Sequence, residues 1–451
     1  MGVVMVQALE GAKLIGKEEA HKIARRVAGQ LPITSRMPSH ERARILTAIS
    51  EGIKRERETF ARLIAEEVGK PLKAAFVETD RCVFNFSWAA AEAQRFGGEW
   101  MPVDLDSASD GRLAFVRRFP KGACLFICPF NFPLNLVAHK VAPAIAVGAP
   151  FMIKPAPQAP RTAAKLAEII REAGWPDAAF AVVDCDNDVA ESLVTDGPFE
   201  VVSFTGSAKV GWHLKDVGGR KYVALELGGN AGAVVAADAD VPWAAARCAA
   251  GAYAYAGQVC ISVQRIFVEE PVYDRFKELF IKNARELVVG DVMDPRTDVG
   301  PLIDDRSAQR VEDWIKEAVA GGGTVLFGGK RTGRTITPAL VENAPKGCKL
   351  ACEEAFGPVA TIEKTASVEA AVAEIAKSEY GLQAGLFTQQ LGTVFETWET
   401  LPVGGLIVND IPTYRSDAMP YGGVKASGVG REGVRYAMEE YTDARTLVVK
   451  P

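Results

Sequence analysis

The chain has 451 residues, of which 48% are hydrophobic and 24% are charged, and its formal net charge is −5. This length is too great for one simple core, so we expect two or three domains of an ordinary globular protein. The acidic balance excludes nucleic acid as the main partner, because phosphates require a surplus of Lys and Arg.

Cysteine and histidine usage narrows the class further. The eight cysteines are scattered along the chain, as in proteins of a reducing compartment rather than in a disulfide framework. The four histidines are not spaced relative to the cysteines as metal ligands would be, so no metal site is expected. Residues 1–13 lack the pattern of a signal peptide, and prolines interrupt the most apolar stretch, Cys124–Ile153. We therefore expect a cytoplasmic protein without a membrane segment.

Helical segments open the chain. Apolar residues at helical spacing predict helices at Lys17–Gly29, at Pro38–Gly69 with Ser39 as its cap, and at Leu72–Phe96. After them, Leu113–Phe119 alternates like an exposed strand. Such a strand needs a hydrogen-bonding partner, and another subunit is one candidate for it.

Strands and helices then alternate to the end of the chain. Short apolar runs predict strands at Ala123–Cys128, Pro150–Lys154, Phe180–Val183, Val201–Phe204, Tyr222–Leu227, Ala360–Lys364, Ala384–Thr388, Gly405–Val408 and Thr446–Val449. Helices are predicted between them, at Leu134–Val147, Thr162–Ala173, Ser207–Val217, Val241–Ala254, Val272–Val288 and Asp304–Ala320. This order predicts an α/β fold with a mostly parallel, doubly wound sheet, which binds ligands at the carboxyl ends of its strands.

Three side chains in separate motifs suggest acyl chemistry. Cys260 lies in the stretch YAGQVCISVQR, which we interpret as a loop entering a helix, where backbone N–H groups favour a thiolate. Glu226 lies in LELGG, and Asn131 lies in the proline-flanked PFNFP. A thiol, a carboxylate and an amide are a nucleophile, a base and an oxyanion donor. The alternative for Cys260 is a small buried hydrophobic residue.

These motifs resemble the aldehyde dehydrogenase superfamily. The resemblance rests on GQVC, LELGG and PFNFPL, and also on FTGSAKVG, EEAFGPV and MPYGGVKASGVGREG, which follow the family's order and spacing. It implies a Rossmann-type cofactor domain (residues 1–101 and 121–227), an α/β catalytic domain (228–428) and a bridging, oligomerisation segment (102–120 and 429–451). It also implies a homodimer or homotetramer, and the exposed strands near Arg117 and Leu447 suggest that subunits share a sheet.

The resemblance also implies a reaction, the oxidation of an aldehyde to a carboxylic acid. Cys260 attacks the aldehyde, Asn131 and the Cys260 backbone N–H hold the oxyanion, and hydride passes to NAD or NADP. Water that is deprotonated by Glu226 then releases the thioester. Two other hypotheses remain open: that the chain is a CoA-acylating member of the superfamily, or that it is a non-catalytic relative that binds a dinucleotide. A cysteine hydrolase would need a histidine partner for Cys260, and none lies in such a motif.

A set of residues would hold the dinucleotide if the resemblance holds: Lys154, Gly206, Ser207, Gly211, Leu227, Glu354 and Phe356. Where relatives that prefer NAD often carry a glutamate for the ribose, this chain has Pro157. Loss of that carboxylate admits a 2′-phosphate, whereas the acidic loop with Asp184, Asp186 and Asp188 opposes one. The choice between NAD and NADP therefore stays open.

Substrate candidates follow from position in the family: Asn135, Val259, Ile261, Tyr414 and Arg415. Arginine pairs well with carboxylate or phosphate, but on a loop it is also often just a solvated cation. The segment SEYGLQAGLFT resembles relatives that act on small polar aldehydes. Relatives that bind a substrate phosphate tend to have arginine where this chain has Val259. We therefore expect a small aldehyde that is hydroxylated or acidic, without a phosphate.

Overall fold

A computed structural model describes residues 14–451, and the signal-peptide interpretation of residues 1–13 falls outside them. Sixteen α-helices lie in this part of the chain: α1 Lys17–Ala28, α2 Leu31–Thr34, α3 Ser39–Arg55, α4 Arg57–Val68, α5 Leu72–Arg95, α6 Asn135–Val147, α7 Pro160–Glu172, α8 Asn187–Asp196, α9 Ala208–Val217, α10 Val241–Tyr253, α11 Tyr273–Arg285, α12 Asp305–Ala320, α13 Lys349–Cys352, α14 Val368–Ala376, α15 Leu391–Thr400 and α16 Val434–Glu440.

Twenty strands lie in the same residues: β1 Glu99–Pro102, β2 Leu113–Pro120, β3 Cys124–Ile127, β4 Phe151–Lys154, β5 Phe180–Val182, β6 Val201–Thr205, β7 Tyr222–Glu226, β8 Gly232–Val235, β9 Arg265–Glu269, β10 Thr324–Phe327, β11 Arg331–Thr332, β12 Thr335–Ile336, β13 Ala339–Glu342, β14 Val359–Thr365, β15 Tyr380–Gly381, β16 Gln383–Phe387, β17 Gly405–Val408, β18 Val424–Lys425, β19 Gly428–Val429 and β20 Thr442–Val449. The predicted α/β fold is confirmed.

The first large sheet has the order β19-β7-β6-β3-β4-β5. Its strands β3 to β7 are parallel, and β19 joins antiparallel to β7 through Gly428 and Glu226. Strands β3 and β4 are apolar and buried along their whole length, as expected for a parallel sheet covered by helices on both faces. Helix α6 is buried at every residue and follows β3, so its start is fixed against the carboxyl edge of this sheet.

The second large sheet has the order β10-β13-β14-β9-β8-β16-β17. All of its pairings are parallel except that of β10, which joins β13 antiparallel at the edge. Because β7 belongs to the first sheet and β8 to the second, the short link Leu227–Ala231 joins the two sheets. The division into domains stays a prediction.

The third sheet corrects one expectation. Strand β2 has its partners within its own chain, because it lies between β1 and β20. In the β2–β20 register, Arg117 is opposite Arg445 and Phe115 is opposite Leu447. Another subunit is therefore not the partner of the strand around Arg117, while the sharing of a sheet between subunits stays a prediction. The sequence showed the alternation of β2 but not its two partners, of which β20 lies at the far end of the chain.

The N-terminal helices also differ from the prediction in detail. The predicted helix Pro38–Gly69 is broken at Glu56, where the backbone takes φ −95° and ψ 19°. Its cap residue is Pro38, and Ser39 is already the first helical residue without a side-chain capping bond. In the part of the chain that the structure describes, no helix combines the length and the apolar character needed to span a bilayer.

Candidate active site

Cys260 lies in a turn between a helix and a strand. Helix α10 ends at Tyr253, a short 3-10 turn covers Ala254–Gly257, and β9 begins only at Arg265. The prediction that the cysteine stands at the entrance to a helix is therefore wrong, because the chain leaves a helix here. No helix N-terminus follows Cys260 to stabilise a thiolate.

Three successive residues before the cysteine adopt left-handed backbone angles. Tyr255, Ala256 and Gly257 have φ of 48°, 53° and 71°, which costs free energy at the two residues that carry a side chain. Only glycine fits at 257, because an added Cβ would lie 2.0 Å from the carbonyl oxygen of Gly357. The Tyr255 hydroxyl donates to the carbonyl of Val68 at 2.8 Å. The surrounding structure thus fixes the turn that presents Cys260.

The thiol of Cys260 contacts one polar side chain at close range. Its Sγ lies 3.0 Å from the hydroxyl oxygen of Tyr421. Burial raises the pKa of the Cys260 thiol to about 12, although the hydrogen bond with Tyr421 lowers it. At neutral pH the side chain is therefore a neutral thiol in the chain alone, and its activation needs a base or a nearby positive charge.

Asn131 follows β3 and reaches the cysteine turn. Its side chain is buried, and its Nδ2 donates to the backbone carbonyl of Gln258 at 3.0 Å. The amide has a second N–H, and Asn131 lines the same cavity as Cys260. Within residues 14–451, the backbone N–H of Cys260 has no hydrogen-bond acceptor in the protein. Two donors are therefore available near the sulfur for a developing oxyanion.

Glu226 ends β7 and is buried, so it is not an exposed strand residue. Burial raises the pKa of Glu226 well above its usual value, and the negative charge of Glu432 raises it further. Its Oε2 is buried and lacks a hydrogen-bond partner in the described residues. An unpaired, buried carboxylate with a raised pKa can take up a proton, as a general base must.

Glu432 is a second buried carboxylate close to Glu226, but it is fully paired. Its oxygens lie 3.0 Å from Lys140 Nζ and 3.0 Å from a guanidinium nitrogen of Arg415. Burial opposes ionisation of Glu432, yet these two cations hold its pKa down at about 2. The surroundings of the two acids therefore push their pKa values in opposite directions, upward for Glu226 and downward for Glu432, which suits Glu226 and not Glu432 to taking up a proton.

Two cavities meet at Cys260. One has a volume of about 360 Å³ and the other about 260 Å³, and the side chains common to both are Cys260 and Leu136. The larger cavity opens along the carboxyl ends of β3, β4, β6 and β7, where doubly wound sheets bind dinucleotides. Asn131 and Glu226 line it together with five of the predicted cofactor residues: Gly206, Ser207, Leu227, Glu354 and Phe356.

The lining of the larger cavity has three features that suit a bound dinucleotide. The Glu354 carboxylate accepts a hydrogen bond from the backbone N–H of Gly229 at 3.0 Å, and burial raises its pKa to about 7. An added Cβ at Gly228 would lie 2.2 Å from that carboxylate, so glycine there keeps the wall open. The Thr205 hydroxyl is buried at the end of β6 without a partner among the described residues, which leaves it free for a ligand.

Two predicted cofactor residues do not line the larger cavity. Gly211 lies one turn into α9, where an added Cβ would meet the Leu227 side chain at 2.4 Å and the Phe204 ring at 3.2 Å. Its contribution is close packing of the helix on the sheet. Lys154 ends β4, is buried, and interacts electrostatically with Asp184.

The smaller cavity receives four of the five predicted substrate residues. Its lining includes Asn135, Val259, Ile261 and Arg415. The fifth residue, Tyr414, is 49% exposed and does not line the cavity. The hydrogen bonds of Tyr414 come from its backbone: its carbonyl accepts from Gln383 Nε2 at 3.0 Å, and its N–H donates to the Ile411 carbonyl at 3.0 Å. The prediction of a Tyr414 side chain in the pocket is therefore not supported by its position.

Arg415 is not a solvated cation. Its side chain is 7% exposed, pairs with Glu432, and stacks with its Cζ 3.7 Å from the centroid of the Tyr421 ring. Its Nε is buried without a hydrogen-bond partner in the described residues. A buried arginine that lines a cavity and retains a free donor can bind a polar ligand.

Several residues of the smaller cavity were not predicted from the sequence: Lys70, Glu78, Arg81 and Tyr421. Lys70 pairs with Glu78, and its Nζ lies 3.6 Å from the centroid of the Phe132 ring. Arg81 makes a two-pronged bond to Asp417 at 3.0 and 2.6 Å. Glu78 also accepts the backbone N–H groups of Leu134 and Asn135, which fixes the start of α6. Lys70, Glu78 and Arg81 lie in stretches without a chemical motif. Tyr421 lies in the motif MPYGGVKASGVGREG, but that motif alone does not indicate that its side chain reaches this cavity.

Comparison with known proteins identifies the family. Residues 7–447 match the profile described as the aldehyde dehydrogenase family. The chain is 40% identical to 3-sulfolactaldehyde dehydrogenase of Priestia aryabhattai. The alignment of 411 residues covers 91% of this chain and 86% of that protein. The chain is 39% identical over 458 residues to lactaldehyde dehydrogenase of Methanocaldococcus jannaschii, with coverage of 100% and 97%.

A solved structure agrees with this assignment. Glyceraldehyde-3-phosphate dehydrogenase GapN from Methanocaldococcus jannaschii, complexed with NADP, superposes with a TM-score of 0.94 at 38% identity, over 98% of this chain and 96% of that one. The chain belongs to the aldehyde dehydrogenase family. It is an NAD(P)-dependent oxidoreductase that oxidises an aldehyde.

Proposed function

We propose that Cys260 is the nucleophile of this oxidation. The observation that carries the proposal is that Cys260 lies where the two cavities meet, with Asn131 and Glu226 lining the larger one. The thiolate attacks the carbonyl carbon of the aldehyde and forms a thiohemiacetal. The Asn131 side-chain amide and the Cys260 backbone N–H hold its oxyanion, and loss of one such donor typically costs about 100-fold or more in rate.

Glu226 acts as the general base for release of the acid. Collapse of the thiohemiacetal leaves a thioester on Cys260, and a dinucleotide held by the residues of the larger cavity would supply the hydride acceptor. Glu226 then takes a proton from water, the resulting hydroxide attacks the thioester, and the carboxylic acid leaves the sulfur. The retained, buried carboxylate favours hydrolysis over transfer of the acyl group to CoA.

Residues of the larger cavity, together with Lys154 outside its lining, would hold the dinucleotide. Gly206 and Ser207, between β6 and α9, would allow close approach of the phosphates, and Lys154 would lie at the adenosine end. Leu227, Glu354 and Phe356 line the wall nearer to Cys260 and would hold the nicotinamide end. Phe356 is fixed there by an edge-to-face contact with Phe130, at 5.9 Å between ring centroids.

The substrate is a small polar aldehyde. The smaller cavity holds about 260 Å³, which suits a short carbon chain rather than a long or bulky one. Its wall includes three cations, Lys70, Arg81 and Arg415, and one acid, Glu78. Each cation already has an acidic partner, so a hydroxyl or one carboxylate is accommodated better than a doubly charged phosphate.

The chain assembles as a homodimer or homotetramer in the cytoplasm. Apolar side chains are exposed on the three-stranded sheet, including Trp100 at 66% and Leu447 at 60%. A further exposed row lies on α15, with Leu391, Phe395 and Trp398 at helical spacing. All eight cysteines are free, which suits a reducing compartment. Light scattering of the purified chain measures the assembly, and a monomer would contradict it.

A panel of aldehydes tests the chemistry and the substrate class together. Short hydroxylated and carboxylate-bearing aldehydes, long-chain aldehydes and aromatic aldehydes are assayed with NAD+ and with NADP+, each with and without CoA. We expect turnover of the short polar aldehydes without stimulation by CoA, and no oxidation by a Cys260→Ala variant that still binds the dinucleotide. Preference for long or aromatic aldehydes would contradict the substrate class, and turnover by Cys260→Ala would contradict the nucleophile.

A further inference from the structure

The three acidic residues of one loop have different environments. Asp186 caps α8, where its Oδ1 accepts the backbone N–H of Val189 at 2.8 Å. Asp188 is exposed in the first turn of that helix. Asp184 differs from both, because its Oδ1 is buried and has no hydrogen-bond partner in residues 14–451. Of the three, Asp184 alone combines burial with a free acceptor.

Asp184 lies at the carboxyl edge of the first sheet, beside Lys154. Strand β5 is the neighbour of β4, and the backbone N–H of Val183 donates to the Ile153 carbonyl at 2.8 Å, which extends the pairing by one residue. Asp184 follows Val183 as Lys154 follows Ile153, so the two residues lie at the carboxyl ends of neighbouring strands. Burial raises the pKa of Asp184, and the charge of Lys154 opposes that rise.

This strand end continues the edge on which the larger cavity opens. The loops after β3, β4 and β6 line that cavity, and the segment after β5 is next in the row. In a doubly wound sheet the dinucleotide binds across these strand ends, and an acid at a strand end accepts the 2′-hydroxyl of the adenosine ribose. Pro157 supplies no carboxylate in the loop after Lys154, whereas Asp184 places one at the neighbouring strand end.

We propose that Asp184 recognises the 2′-hydroxyl of the adenosine ribose and makes the enzyme prefer NAD+ to NADP+. This inference rests on the proposed function, since it assumes that the larger cavity holds a nicotinamide dinucleotide. The free Oδ1 accepts the 2′-hydroxyl, while Lys154 donates to the same ribose. A 2′-phosphate would bring about two further negative charges against the Asp184 carboxylate, and the single charge of Lys154 would not balance both anions.

Isothermal titration calorimetry with four ligands tests the proposal without turnover: NAD+, NADP+, and the fragments 5′-AMP and adenosine 2′,5′-bisphosphate. The wild-type chain is expected to bind the 2′-hydroxyl member of each pair more tightly, by about tenfold or more. Asp184→Asn keeps the size of the side chain and removes its charge, so the ratio within each pair falls by about tenfold or more. Asp188→Asn removes an equal charge at the exposed neighbour and leaves both ratios unchanged.

The possible outcomes distinguish a failure of the role of Asp184 from a failure of the proposed function. Binding of both dinucleotides with equal affinity by the wild-type chain, or an unchanged ratio in Asp184→Asn, overturns the role of Asp184 and leaves the proposed function standing. Binding of neither dinucleotide by the wild-type chain overturns both. The wild-type ratio decides the preference by itself even if Asp184→Asn does not fold, and Asp184→Ser then provides the second variant.

Discussion

The hydroxyl of Tyr421 lies 3.0 Å from Sγ of Cys260, and the guanidinium of Arg415 stacks on the face of the same Tyr421 ring. Tyr421 thus connects the thiol with a cation that is paired to Glu432. The hydrogen bond from Tyr421 lowers the pKa of Cys260 against the larger effect of burial. Tyr421 is therefore a positioning residue whose loss should make the thiol less reactive.

Tyr421→Phe tests this relationship. Because the variant lacks the hydroxyl that stabilises the thiolate, we expect alkylation of Cys260 by iodoacetamide near neutral pH to slow by about three- to tenfold. Tyr414→Phe is the matched control, since Tyr414 is exposed nearby in the same loop and lines neither cavity. Equal alkylation rates for Tyr421→Phe and the unchanged chain, followed on the Cys260 peptide by mass spectrometry, would contradict the role.

The pH dependence of Cys260 alkylation follows from its raised pKa. Burial raises that pKa to about 12, so the thiolate fraction, and with it the alkylation rate, should keep rising with pH. We expect no plateau below about pH 10 in the absence of dinucleotide. The exposed Cys352 provides an internal control for reagent quality within the same digest. A rate that levels off near neutral pH would show an activated thiolate in the chain alone.

Gly228→Ala tests the wall of the larger cavity. The added Cβ would lie 2.2 Å from the Glu354 carboxylate, which must then move away from the Gly229 N–H. We expect dinucleotide affinity, measured by calorimetry, to fall by about tenfold. Gly347→Ala is the control, because a Cβ at Gly347 meets nothing within 4 Å. Unchanged affinity in Gly228→Ala would remove Glu354 from the binding site.

Arg415→Met tests recognition in the smaller cavity. The variant loses the free Nε donor and the positive charge, so KM for a carboxylate-bearing aldehyde should rise by about tenfold or more relative to KM for a neutral aldehyde of equal length. Comparing two substrates on one variant cancels any general disturbance of Tyr421 and Glu432. Arg435→Met, outside both cavities, should leave the ratio unchanged. An equal rise for both aldehydes would assign Arg415 a structural role alone.

The sequence predicted those parts of the molecule that local pattern determines. Apolar runs such as Phe151–Lys154 became buried parallel strands, and the motif residues Cys260, Glu226 and Asn131 came to lie around one cavity. The backbone conformation that orients a side chain within its motif could be predicted less well from the sequence. The turn before Cys260 depends on left-handed angles that its side chains do not favour and that distant contacts enforce.

Contacts between distant segments could not be predicted. Tyr421 is 161 residues from Cys260, and nothing in the spacing of the two motifs indicates a bond between their side chains. The pairing of Arg415 with Glu432 depends on tertiary packing that removes both from water, so a loop position suggested an exposed cation instead. Likewise, the alternation of β2 identified a strand, but its pairing with β20 is a property of the folded chain.

The covalent intermediate is the central claim, and the mass of the Glu226→Gln variant after one turnover tests it most directly. The amide cannot deprotonate water, so hydrolysis should slow by about 100-fold or more while hydride transfer still proceeds. Mixed with a short polar aldehyde and NAD+, the variant should form one reduced dinucleotide per subunit and carry the acyl group on the Cys260 peptide. Continued turnover without an adduct, or an adduct on another residue, would contradict the account.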